Sequence, residues 1–238
     1  MKMTIKFRLL AIAIGVCVSC KNDTASFDTD MTVIVDKTDR MTVYPTADEI
    51  TSQLGLKDNP WQSVRISATY ISDKDINDVT VLTLEGENQW SGNIMMRKAK
   101  IQHFIKQLQH CLTEMKYSGT CPYSIIYRTI ARQADILAAS NAHRKLLLVY
   151  SDLYENDTDL NFYERNKMNR LRTNPLSIAL QLETTEPLKR LIGLQMWLIY
   201  NPTSYKQNQA YMTIAEFYQH LFTTHGAVTH IANKFLPL

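Results

Sequence analysis

Thr32-Val33-Ile34-Val35-Asp36 and Leu146-Leu147-Leu148-Val149-Tyr150-Ser151-Asp152 set the architecture. Each is a short apolar run, β-branched throughout in the first, that shows no polar alternation and stops at an acid. A strand with one wet face alternates apolar and polar residues, whereas a strand covered on both faces does not. Two such strands with helical patterns between them imply a mainly parallel sheet with helices on both faces.

The flanking segments fit that frame. After Pro45, Thr46 and Glu49 have capping-box spacing, which predicts a short helix from Ala47 to Gly55. Val64 to Ser72 and Asp78 to Glu85 are β-rich and joined by Asp73–Asn77, as an antiparallel pair would be. From Arg97 to Met115, Ile101, Phe104, Ile105, Leu108, Leu112 and Met115 recur at three and four, giving an apolar helical face. Arg97-Lys98-Ala99-Lys100 reads as the solvated start of that helix, not a phosphate-binding patch. Pro122 introduces a helix from Tyr123 to Ser140 facing inward through Ile126, Ile130, Ala134 and Leu137. Glu155 to Leu182 shows no clean period. Pro187 and Gly193 bracket a short helical turn before a strand from Leu194 to Tyr200. Tyr211, Ile214, Tyr218, Leu221 and Phe222 mark a last helix, and Val228 to Ala232 a last strand. The expectation is a doubly wound α/β domain: a six-stranded, mainly parallel sheet with one antiparallel edge strand, and about five helices on its two faces. Trp61, Trp90 and Trp197 are expected in the core or at its rim.

The N-terminus reads as a targeting segment. Lys2, Lys6 and Arg8 precede an apolar run, Leu9 to Val18, that ends in Ser19-Cys20-Lys21. At about ten residues the run is too short to span a bilayer, which takes ~20. Residues 1–19 are therefore read as a secretion signal. The Ser19-Cys20 ending resembles the lipobox of bacterial lipoproteins, which implies acylation of Cys20. Lys21 after it resembles the outer-membrane sorting pattern. Residues 20–30 then form a lipidated polar tether and 31–238 the domain, with the membrane reached through the lipid anchor only.

Removal of the signal changes the charge balance. It carries three of the 26 cationic residues and none of the 23 acidic ones, so the mature chain is formally neutral, 23 against 23. A global nucleic-acid-binding surface is excluded on that balance. Two of the four cysteines remain, Cys111 and Cys121, in a compartment that permits disulfides. A bridge between them and a pair of free thiols are the two readings. No Cys-x-x-Cys, clustered His, nucleophile elbow, P-loop or Gly-rich dinucleotide turn occurs, and the six His are scattered.

In open parallel sheets, ligands bind outside the carboxyl ends of the strands where the strand order reverses. Asp36 and Asp152 each end an apolar strand. If those strands are neighbours, the repulsion between the two carboxylates is relieved by a cation, by protonation or by a basic group. Mg²⁺ or Mn²⁺ suits carboxylate and hydroxyl oxygens. The plainer reading is that each Asp caps the turn after its strand.

Val33-Ile34-Val35-Asp36-Lys37-Thr38-Asp39-Arg40, then Ser118-Gly119-Thr120 before a helix, then Leu147-Leu148-Val149-Tyr150-Ser151-Asp152, resembles the von Willebrand factor A (VWA) domain. That family has a doubly wound sheet with a metal-ion-dependent adhesion site. The resemblance implies non-enzymatic recognition of a protein partner, with Asp36, Thr38, Thr120 and Asp152 at the metal-coordinating positions and Mg or Mn as the ion. Arg40 stands where the family has a second Ser. A guanidinium has donors and no acceptor, so it either swings away from a four-ligand site completed by water or replaces the metal by pairing with Asp36 or Asp152. Asp39, Arg40, Tyr154, Glu155 and Asn201 are candidate partner contacts on the same edge.

Two other readings compete. A strand followed by Asp-Lys-Thr also resembles the start of haloacid dehalogenase-like phosphohydrolases, with Asp36 as nucleophile and Mg²⁺ neutralising phosphate. Against it, Asp39 stands where one variant of that motif has Gly and Lys37 where the other has an acid. Ser118-Gly119-Thr120 also follows a helix, not a strand, and no later strand supplies an acid pair once Asp152 is used. The remaining reading is a structural component of an envelope assembly.

Overall fold

The computed structural model describes residues 26–38, 43–73, 76–117 and 121–235. Their elements run β1 (Thr29–Asp36), α1 (Ala47–Ser52), β2 (Val64–Ile71), β3 (Thr80–Leu84), α2 (Ile94–Tyr117), α3 (Ile126–Ala138), β4 (Arg144–Tyr150), α4 (Arg165–Thr173), α5 (Pro175–Thr185), β5 (Leu194–Ile199), α6 (Tyr205–Thr224) and β6 (Val228–Ala232). The six strands form one sheet in the order β3-β2-β1-β4-β5-β6. All neighbours pair in parallel except β2 and β3. The α/β class, the single sheet and the antiparallel edge strand are as the apolar runs predict.

Residue parity along the central strands assigns each side chain to a face. Ile34, Leu147, Val149 and Leu198 pack under α3, α4, α5 and α6. Met31, Val33, Val35, Leu146, Leu148 and Trp197 pack on the other face under α1 and α2. Every residue of β1 is buried, because hydrogen-bonded strands flank it and helices cover both its faces.

The helix starts follow from local capping. Thr46 Oγ1 accepts the Glu49 N–H at 3.1 Å to open α1. Asn93 Oδ1 accepts the Met95 and Met96 N–H groups at 2.9 and 3.2 Å to open α2. Ser204 Oγ accepts the Gln207 N–H at 3.2 Å to open α6. Among the described residues no helix is long and apolar enough to cross a membrane.

Several expectations are corrected. The stretch Glu155–Leu182 holds two helices, α4 and α5, split at Asn174-Pro175, where Asn174 Oδ1 caps α5 through the Ser177 N–H at 3.2 Å. Among the described residues the helices number six, against an expectation of about five. No helical turn forms between Pro187 and Gly193; the chain turns at Gly193, whose φ of 80° lies in the left-handed region. Arg97 is not solvated. It is fully buried, donating from Nε to the Pro60 carbonyl at 2.5 Å and from its terminal nitrogens to the Glu85 and Gln62 carbonyls at 2.6 and 2.7 Å. Trp197 is buried and Trp61 half-buried, but Trp90 is 89% exposed. Cys111 and Cys121 are free thiols: Cys111 is buried on α2, and Cys121 lies at the sheet edge, where its N–H donates to the Lys37 carbonyl at 3.3 Å. The strand register begins at Thr29, inside the segment read as tether, with Asp28 accepting from the Ser63 N–H at 2.7 Å. The signal segment and Cys20 lie outside the described residues.

Candidate functional site

The sheet order places the topological switch between β1 and β4. From β1 the chain continues toward β2, and from β4 toward β5, so the two connections diverge and leave a crevice at the carboxyl edge. Val35 and Tyr150 are register partners, which sets Asp36 and Ser151 opposite each other one step on. Ser151 Oγ donates to Asp36 Oδ2 at 2.6 Å. Asp36 Oδ1 accepts from the Thr38 N–H at 2.9 Å and from Thr38 Oγ1 at 2.7 Å. Asp36 is fully buried, so these bonds supply part of the polar environment its carboxylate needs away from water.

The turn after β4 is built to hold this geometry. Ser151 Oγ accepts the Leu153 N–H at 2.9 Å, and Asp152 Oδ1 accepts the Tyr154 N–H at 2.9 Å. Between those bonds Leu153 has φ 63°, a left-handed conformation that costs a residue with a Cβ about 1–2 kcal/mol. Its side chain is fully buried in the core under α3 to α6, which offsets the strain.

The neighbouring strands complete the edge. Lys37 N–H donates to the Ile71 carbonyl at 3.1 Å, and Lys37 Nζ lies 3.3 Å from the centroid of the Tyr70 ring. Ser151 N–H donates to the Ile199 carbonyl at 3.2 Å, tying the crevice to β5. Tyr211 from α6 donates to the Leu198 carbonyl at 3.0 Å and packs on Tyr200, with ring centroids 5.1 Å apart. Burial pushes the Tyr211 hydroxyl well up, and Asp152 and Tyr200 add to it. The half-buried Tyr154 packs on Tyr163 at 5.0 Å; burial and then Asp152 raise its hydroxyl pKa, while Arg172 pulls it down.

The edge thus gathers Asp36, Thr38, Asp152, Tyr154 and the exposed Asn201. The direct bond across the switch point runs through Ser151, which sequence reading left out of the site. Its signal was present: counted along the strand, Ser151 has the parity of Leu147 and Val149, so its hydroxyl faces the same side as Asp36. Asp39, Arg40 and Thr120 lie outside the described residues.

Glu155 is corrected from a partner contact to an internal cap. It is 3% exposed and aims back into the fold, where Oε1 accepts the Ile126 N–H at 2.9 Å. Its Oε2 accepts the Tyr127 N–H at 2.8 Å and the Tyr218 hydroxyl at 3.0 Å. It therefore caps α3, whose own preceding residue, Ile125, makes no side-chain cap. Burial raises its pKa to about 7 against these stabilising bonds.

Asp36, Thr38 and Asp152 offer oxygens only, the class a hard divalent ion takes, so their chemistry fits Mg²⁺ or Mn²⁺. Among the described residues no group of three His, Cys, Asp or Glu side chains is placed to hold a metal.

No protein-family model matches the sequence, and no curated protein matches it. Among solved structures, a point mutant of the PilB minor pilin from Streptococcus sanguinis is similar at a TM-score of 0.45 with 10% identity, over 88% of this chain. The match spans 57% of the pilin chain. A likeness of that degree carries no functional weight.

Proposed function

We propose that this chain is a non-enzymatic, envelope-anchored binding domain of the VWA-like kind, and that a protein partner engages the carboxyl edge of its sheet at the β1–β4 switch. The carrying observation is the Ser151–Asp36 bond across the switch point, with Asp152 beside it in a strained, doubly hydrogen-bonded turn. Strain of that kind persists where the surrounding structure holds it, and it concentrates at functional sites. The doubly wound sheet with its antiparallel edge strand also supports the VWA-like reading.

Asp36 speaks for recognition rather than phosphoryl transfer. A nucleophilic carboxylate needs an oxygen open to the phosphorus, whereas Asp36 is fully buried and both its oxygens accept hydroxyl hydrogens. In the metal-bound form of the site, Asp36, Thr38 and Asp152 would hold the ion, and the ion would offer positive charge to an acidic group on the partner. In the other form the Arg40 guanidinium supplies that charge.

The test is a pull-down from membranes with wild-type and Asp152→Ala protein, with thermal melting as the folding control. The expected result is partner retention by wild type and its loss in the variant at an unchanged melting temperature. Equal retention overturns the edge site in favour of scaffolding, and Mg²⁺-dependent phosphatase turnover overturns the non-enzymatic reading. Calorimetric titration with Mg²⁺ and Mn²⁺ separates the two forms, because only the metal-bound form gives binding heat at millimolar ion.

A further inference from the structure

The connection from β4 to β5 carries a surface that the crevice does not account for. In nine residues α4 holds Arg165, Lys167, Arg170 and Arg172 and no acid, whereas the rest of the chain after residue 19 carries 19 cations against 23 acids. Glu164 precedes the helix at its N-terminal end, where a negative charge is favourable. Some partly exposed cations elsewhere in the domain pair with acids, among them Arg128 with Asp157, Arg132 with Glu186 and Lys189 with Asp135. Among the described residues no acid pairs with Arg165, Lys167 or Arg172. Arg170 instead donates to the Gln181 side chain.

The orientation of α4 follows from its buried residues. Met168 and Leu171 face the core, and Arg165 and Arg172, seven residues apart, share one exposed flank. The start of that helix is tied to the crevice by a ring contact. Tyr163, two residues before the helix and 61% exposed, packs its ring on Tyr154 next to Asp152. At the other end, the charge of Arg172, the next-to-last residue of the helix, lowers the Tyr154 hydroxyl pKa. The loop leading in is itself braced, with the Phe162 N–H donating to the Glu155 carbonyl at 2.9 Å and the Tyr163 N–H to Asn161 Oδ1 at 2.9 Å.

We propose that the Arg165–Arg172 flank of α4, together with the Tyr154–Tyr163 pair, is a docking surface for an acidic peptide segment of the protein partner. This rests on the reading of the sheet edge as a partner-binding edge and names the chemistry of what binds beside it. Unpaired guanidinium groups on a helix bind carboxylates in bidentate fashion, and two packed tyrosine rings, tilted 37° to each other, offer amphipathic contact area at low cost in side-chain entropy. Charge of one sign at a rim governs encounter and selects the opposite sign.

The experiment measures fluorescence anisotropy of a labelled poly-glutamate peptide against full-length protein in detergent. Wild type is expected to bind, and more weakly as salt rises. Arg165→Glu/Arg172→Glu is expected to weaken binding about tenfold, with the neutral Arg165→Gln/Arg172→Gln variant intermediate, while Arg190→Glu/Lys206→Glu at exposed sites elsewhere leaves it within about twofold. Helicity and melting temperature confirm that the variants fold. The proposal is overturned if wild type does not bind the peptide, if the control pair weakens binding equally, or if a uronate polysaccharide of matched charge binds more tightly. Asp152→Ala separates the two readings. Binding lost there but kept by the arginine reversals removes the α4 surface and leaves the crevice; the opposite pattern leaves the α4 surface and removes the crevice.

Discussion

Glu155 is a carboxylate that the fold buries and then uses. Two backbone N–H groups at the start of α3 and the Tyr218 hydroxyl donate to it, yet its removal from water outweighs them and raises its pKa from an ordinary 4.5 to about 7. An acid whose folded-state pKa is raised binds its proton more tightly when folded, so the unfolded chain releases that proton first as pH rises. Its contribution to stability is therefore fully present below pH 4.5, declines between 4.5 and about 7, and is gone above. The change amounts to roughly 3 kcal/mol over that window. Urea midpoints measured between pH 4 and 8 should fall through this range, and Glu155→Gln should flatten the slope. Sequence reads Glu155 as an edge residue because its partners Ile126, Tyr127 and Tyr218 lie 28 to 63 residues away, where no local pattern marks them.

Among the elements, α2 shows a periodic face hiding a polar anchor. Ile101, Phe104, Leu108 and Leu112 are buried as their spacing requires, but the helix is moored at its start by Arg97, whose guanidinium gathers the Pro60, Gln62 and Glu85 carbonyls before and after the β2–β3 hairpin. These carbonyls lie where strand pairing no longer supplies donors, so the arginine completes their hydrogen bonding. Arg97→Met keeps the stem and removes the donors, leaving buried acceptors unpaired. A loss of about 3 kcal/mol in chemical denaturation is expected, with faster hydrogen exchange in the first turn of α2. The helices α4 and α5 went unread for the complementary reason. Each buries only two residues, Met168 and Leu171 in one and Ile178 and Leu182 in the other, too few to write a period into the sequence.

For the molecule as a unit, β1 is the axis. It pairs with β2 and β4, lies beneath helices on both faces, and ends at Asp36 where the chain paths diverge. Opening it requires both half-cores to separate, so the Val33 and Ile34 amides should exchange only through global unfolding. The β3 and β6 amides, on strands with one pairing neighbour each, should exchange through smaller openings. Native-state hydrogen exchange at increasing urea checks this: a single isotherm shared by β1, β3 and β6 would show that the sheet opens all at once.

The amino-acid order fixed the strands, the long helices and the α/β class, because burial on both faces or on one helical face leaves a local pattern of apolar residues. It also marked Asp36 and Asp152 as strand-end acids. That β1 and β4 are neighbours, that Ser151 bridges to Asp36, that Arg97 and Glu155 turn inward, and that Cys111 and Cys121 stay apart came from long-range pairing. Such contacts join residues far apart in the chain, and a charged or hydroxyl side chain reads the same in sequence whether it meets water or a buried partner.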